Sequence, residues 1–257
     1  MKAESLNRRE ILVLGKNLLL TSLVAGIPVG CSLSRPIGEV DWQKEIQPLD
    51  QKGVATVTHL SGTASADTKP VFAGDRLRSG SVVDLADGGQ LVLALPDRSV
   101  LQLKDETRLR LDLDSEQGGD LTLKYGSLLS VVTPRRRSRR YRIKGTAALI
   151  GVKGTVCFLQ VFKPGADRDP KIPSQATEYF CICNGAIDYL DPDNRTAMSD
   201  SAEHHSPYFL YPKGGDVGFI RTNQLLNHDD KEINDLIYRM AGQKHDTLWL
   251  NVYRTRY

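Results

Sequence analysis

The sequence predicts a mainly β protein, either a β-solenoid or a twisted β-sandwich, that ends in one amphipathic helix. Between Gly53 and Leu190, apolar and polar residues alternate in short runs separated by turn residues, the period of half-buried strands. Aromatic residues make up only 7% of the chain while glycine occurs 22 times, a balance suited to tight turns rather than a helical bundle. Only near the end does the apolar spacing become helical.

The strands follow in order. Residues 90–95 (QLVLAL), 99–103 (SVLQL) and 108–113 (RLRLDL) each carry leucine or valine on one parity, with PDR and KDET read as the turns between them. Runs that recur every eight to ten residues suit stacked solenoid rungs or a meander equally well. Further strands are expected in 121–132, 141–145, 155–162, 178–184 and 186–190, with a Pro/Gly loop over 163–176. After Asp191 the chain reads as a polar loop, and a short strand is expected at Tyr208–Tyr211. In the final segment Ile233, Leu236, Ile237 and Met240 stand at helical spacing, behind acids in the first turn and ahead of Gly242.

The N-terminus has the layout of an export signal: a charged start, an apolar stretch from Leu18 to Val29, and small residues before Cys31. It is too short, and too interrupted by Lys16 and Asn17, for an ordinary spanning helix. Asn7, Arg8, Arg9, Glu10, Ile11 and Leu12 resemble the twin-arginine export motif. IPVGC resembles a lipobox, with Pro28 where leucine is usual, which makes Cys31 a candidate for lipidation and membrane anchoring. The organisation read from the chain is an export signal over 1–30, a linker over 31–52, a β domain over 53–190, and a segment over 191–257 of loop, short strands and helix packed on it. Removing the signal takes away four positive and two negative charges, so the formal charge falls from +3 to +1.

Ligand-type side chains gather in the C-terminal half. Cys181 and Cys183 stand two apart on a predicted strand, hence on one face. A relaxed disulfide needs Cβ atoms about 3.8 Å apart, closer than same-strand neighbours come. With His204 and His205 they make a Cys₂His₂ set, the donors of zinc or of an iron–sulfur cluster. The plain alternative is buried cysteines acting as small hydrophobes beside surface histidines. Adjacent histidines point apart in extended chain, so both ligate only from an irregular loop. Cys157, on the preceding strand, is open to three roles: a cross-strand disulfide, an extra ligand, or a buried thiol. His228 precedes the helix, where capping by Asn227 or Asp229 is the simpler role for the segment and spare ligation the other.

Arg135, Arg136, Arg137, Arg139, Arg140 and Arg142 concentrate positive charge in a domain otherwise near neutral. They would contact anionic headgroups or envelope polymers, or form a solvated hairpin tip. Nucleic acid is excluded by the exported compartment. Enzyme motifs are missing: there is no Gly-x-Ser-x-Gly elbow and no phosphate loop. Asp75 reads as a turn carboxylate bonding local amides.

Four stretches in order, AGDRLRSGS at 73–81, PDRSVLQLKDETRLRL at 96–111, YGSLL at 125–129 and AALIGVKGTVCF at 147–158, resemble the motifs of FecR-like extracytoplasmic domains. Lys153 stands where that family usually has arginine, which keeps the charge and loses a planar fork of donors. A subset of the family is also similar downstream, at Cys181, Cys183 and Gly185, then His204 and His205, then Asn227, His228 and Asp229. The resemblance implies a compact β fold acting as a non-enzymatic binding or scaffold module, with a cell-envelope protein or polymer as partner. FecR-like regulators carry a cytoplasmic sigma-factor-binding segment before a membrane span, for which this chain is expected to have no room, so the resemblance implies the extracytoplasmic module and not the anti-sigma activity. The rival expectation is a small metalloprotein.

Overall fold

The alternation read from the sequence becomes strand, and three of the strands are long enough to bend and serve two sheet layers. A computed structural model describes residues 53–113, 118–133, 140–190 and 196–241. The export signal, Cys31, the linker and most of the arginine run lie outside the described residues.

In chain order the strands are β1 (Val54–Ser61), β2 (Ala64–Ala66), β3 (Lys69–Pro70), β4 (Arg76–Arg78), β5 (Val82–Leu85), β6 (Gln90–Ala94), β7 (Val100–Asp112) and β8 (Gly118–Val131). They continue as β9 (Arg140–Lys144), β10 (Leu149–Val152), β11 (Val156–Val161), β12 (Glu178–Leu190), β13 (Thr196–Ala202), β14 (Ser206–Lys213) and β15 (Asp216–Arg221). Helix α1 spans Asp230–Ala241. One layer runs β1, β6, the first half of β7, the second half of β8, β11, the first half of β12, β14 and β15. The other runs β3, β2, β5, the second half of β7, the first half of β8, β9, β10, the second half of β12 and β13. Among the described residues every ladder is antiparallel except β8–β9. Solenoid rungs stack in parallel, so the pairing is that of a folded-over, twisted sandwich.

Two runs read as separate strands around KDET are in fact one. At the bend β7 bulges, Asp105 takes a left-handed conformation (φ 48°), and its N–H donates to the Gly89 carbonyl. Opposite it Gly126 has φ 94°, and the Ser127 N–H donates to Thr107 Oγ1 at 2.9 Å. β12 likewise joins the two runs 178–184 and 186–190 through Gly185, φ 105°. β13 occupies part of the stretch expected to be a polar loop, because the outer edge of β12 offers a ladder that a polar sequence can pair with. β15 is a further strand that the sequence pattern did not mark.

Alternation sends side chains to two cores. Leu91, Leu93, Leu101, Leu103, Leu128, Leu159 and Phe180 from one layer meet Leu109, Leu111, Leu121, Ile143, Ile150 and Tyr189 from the other in the central core. On the outer face of the first layer, Val92, Val100, Leu129, Phe158, Tyr179 and Cys181 form a second core, covered by Ile233, Leu236 and Ile237 of α1. These three helix residues are fully buried, each stabilising by about 1.5–3 kcal/mol. Asp229 is the helix N-cap, its Oδ1 accepting the Glu232 N–H at 2.8 Å. Glu232 also accepts from Gln102 and from Lys104 of β7, which holds the helix to the sheet.

Polar groups close the joints. The Asp75 carboxylate accepts the Phe72 N–H at 2.8 Å, as expected for a turn. Lys153 reaches the buried Asp188 carboxylate at 2.5 Å, and the Ser199 hydroxyl donates to the same oxygen. Glu178, fully buried at the start of β12, accepts the Ala147 N–H in the β9–β10 turn. Burial raises the Glu178 pKa, against the amides of Thr146, Ala147 and Ala148 that favour its charge.

A Cβ on Gly126 would come within 2.5 Å of Thr107 Cα at a left-handed φ. Gly126→Ala should therefore cost about 2–4 kcal/mol in urea unfolding. Gly165→Ala, also left-handed but with nothing within 4 Å of the added carbon, should cost about 1 kcal/mol. Equal losses would refute the role of the bend. Because the folded-state pKa of Glu178 lies above its ordinary value of 4.5, this residue's contribution to stability should grow as pH falls from neutral toward that value. Unfolding midpoints of the wild type and Glu178→Gln at pH 7 and pH 5 should diverge in favour of the wild type on acidification.

Candidate metal centre

β12 sets the site. Its register places Cys181 opposite Phe158 on one side and Pro207 on the other, with its side chain on the outer face, and Cys183 follows on that same face. Both are fully buried. The turn between β13 and β14 then brings in the histidines. His205 Nδ1 lies 3.5 Å from Cys181 Sγ, and its side chain is only 6% exposed. His204 stays outside the cysteine group, with 43% of its side chain exposed and its Nε2 at 3.1 and 3.2 Å from the two oxygens of Asp230. The turn brings the two rings edge to face at 4.3 Å, and both Nε2 atoms reach Asp230 Oδ1, but only His205 also touches Cys181.

The fourth donor is His228. Asn227 adopts φ 54°, which turns the chain inward just before the helix. The His228 ring stacks on Phe158 at 4.4 Å and lies 5.2 Å from the His205 ring. It is 6% exposed. Its Nδ1 sits 2.8 Å from the Leu226 carbonyl, an acceptor, so Nδ1 carries a proton and Nε2 is the ring nitrogen left for the cluster. That buried Nε2 makes no conventional hydrogen bond to any described residue. Tyr179 supports the same segment, donating to the Gln224 carbonyl and accepting the Leu226 N–H.

Donor atoms of Cys181, Cys183, His205 and His228 all lie within 4.8 Å of one another. The expected set is thus corrected at one position, His228 standing where His204 was placed. In the sequence His228 was read only as a spare ligand, from its place in Asn-His-Asp at the helix start and in the downstream resemblance. His204, His205 and Asp230 form a second, more exposed trio that shares His205. Cys157 takes neither of the two roles that would have tied it to this site. It pairs with Ile182, so strand alternation turns it into the central core, and all three described cysteines are free thiols. Burial pushes the Cys157 thiol up to about 12.

The electrostatics of the cluster favour one thiolate. The Cys183 thiol donating toward it, with the His205 and His228 imidazoles, outweighs burial and holds Cys181 down at about 4. Burial and that same donation push Cys183 well above its ordinary range. Burial disfavours charge on His205, but the Cys181 thiolate and Asp230 raise its pKa overall. A thiolate, a second thiol and two imidazoles are donors for borderline and soft ions rather than for calcium or magnesium. Of the arginine run only Arg142 has a described side chain, and it is committed to a two-pronged ion pair with Asp120.

Residues 81–169 match the family model described as FecR protein. The central segment is FecR-like. It holds β5 through β11 and the start of the following loop, so the FecR-like segment supplies the middle of both layers. All four clustered donors lie beyond it. No curated protein matches the chain. Two crystal structures of candidate anti-sigma factors from Parabacteroides distasonis are similar. One is 12% identical, over 55% of this chain and 59% of that one, with a TM-score of 0.41. The other is 11% identical, over 63% and 74%, with a TM-score of 0.42.

The surroundings of Cys181 favour its thiolate, whereas burial disfavours that form at Cys157 and Cys183. In metal-free, reduced protein, a small alkylating reagent should modify Cys181 first at pH 7, as read by peptide mass spectrometry. Modification of Cys157 ahead of Cys181 would contradict the assigned electrostatics.

Proposed function

We propose that this chain is an exported FecR-like module of the cell envelope that acts by binding or scaffolding rather than by catalysis. The observation that carries the reading is the FecR-like segment at the centre of the sandwich, behind an N-terminus with the features of an export signal. Its partner would be an envelope protein or polymer. The buried position of Cys183 and His228 supports a non-enzymatic role, since a substrate does not reach side chains enclosed in this way. Attachment through Cys31 would keep the β body at the membrane surface, where Arg135, Arg136, Arg137, Arg139 and Arg140 would meet anionic headgroups.

Replacing Arg8 and Arg9 together with lysine should strand the protein in the cytoplasm, as read by fractionation and immunoblotting. Unchanged export would remove the twin-arginine route. Cys31→Ala should move the mature protein from the membrane fraction to the soluble extracytoplasmic one, and persistence with membranes would remove the lipid anchor.

A further inference from the structure

The geometry points to a single-ion site: we propose that Cys181, Cys183, His205 and His228 bind one divalent ion of the zinc class in a closed tetrahedron, and that this ion ties the C-terminal helix to the sheet. The proposal is independent of export and of the envelope partner.

Three segments distant in the chain meet here: the outer face of β12, the β13–β14 turn, and the residues leading into α1. Buried cysteines alone would read as small hydrophobes. The imidazole of His228 does not admit that reading. A buried ring nitrogen that faces the cluster and makes no conventional hydrogen bond to any described residue is a costly group to leave unsatisfied, and native structures rarely do so without a ligand. Its other nitrogen is held by a backbone carbonyl, and His205 has its own outer partner, with Nε2 at 3.0 Å from Asp230 Oδ1. Histidines that bind metal are commonly oriented in these two ways.

Size decides between one ion and a cluster. Bonds of about 2.0–2.3 Å in a tetrahedron leave ligand atoms roughly 3.3–3.8 Å apart. The Cys181 Sγ–His205 Nδ1 distance of 3.5 Å falls in that interval, and no pair exceeds 4.8 Å. A two-iron cluster with cysteines on one iron and histidines on the other would hold thiolates and imidazoles more than about 5 Å apart. Four protein donors also leave no open position for a substrate, the arrangement of a structural site. His228 and the outer partner Asp230 both belong to the segment that opens α1. An ion held there would couple ligation to helix docking.

The test uses the mature chain with reduced thiols, stripped by chelator and titrated with cobalt(II), then zinc. One equivalent of cobalt should give the intense visible bands of a tetrahedral thiolate-ligated ion, and zinc should bleach them. Zinc should also slow amide exchange in residues 226–241. His204→Asn should bind as the wild type does, Asp230→Asn should bind tenfold to a hundredfold more weakly, and His228→Asn should lose more than that. The proposal is overturned if folded wild-type protein takes up no cobalt, if the spectrum is that of a six-coordinate ion, or if the purified protein carries iron and sulfide. Undiminished binding by His228→Asn would overturn the ligand assignment, and unchanged exchange in 226–241 would overturn the tether.

Discussion

The bends in β7, β8 and β12 are the constraint on which the rest depends. A flat strand contributes to one sheet, whereas a strand that turns sharply near its middle contributes to two and forces them to face each other. The turning points are left-handed or bulged positions: Asp105, Gly126 and Gly185. The amides freed there are satisfied locally, Asp105 by the Gly89 carbonyl and Ser127 by Thr107. Without these turns the central core would lack one of its walls.

Because β12 alternates, its first half feeds two cores at once. Phe180 and Ile182 enter the sandwich, while Tyr179, Cys181 and Cys183 stand on the outside. An outer face with that much apolar surface needs a cover, and α1 supplies it with Ile233, Leu236 and Ile237. The cysteines lie in that outer core rather than inside the sandwich, and the histidines that gather around them come from later in the chain. The same alternation sends Cys157 the other way and separates it from the pair.

This division also separates the FecR-like segment from the chemistry. Residues 81–169 build the middle of both layers, whereas every clustered donor comes from later in the chain. Lys153 and Asp188 bridge the two parts through a largely buried ion pair. A pair of this kind contributes little net stability but is costly to break one-sidedly, so it fixes the relative register of β10 and β12 more than it strengthens them.

The mainly β class, most strands of the central region and the apolar stripe of the helix were legible in the sequence, because period two and period 3.6 are local properties of the chain. So was the shared face of Cys181 and Cys183, and the turn role of Asp75. The joining of two runs into β7 and of two more into β12 was not, since a bend and a turn use the same residues and differ only in what the flanking strands pair with. β13 was missed because a polar strand at a sheet edge carries no burial signal. The choice of His228 over His204 lay furthest from the sequence. It depends on which of two adjacent side chains reaches Cys181 across a turn, and on the segment before the helix, more than forty positions beyond β12's cysteines, folding back onto Phe158 and Tyr179; only tertiary contact sets either.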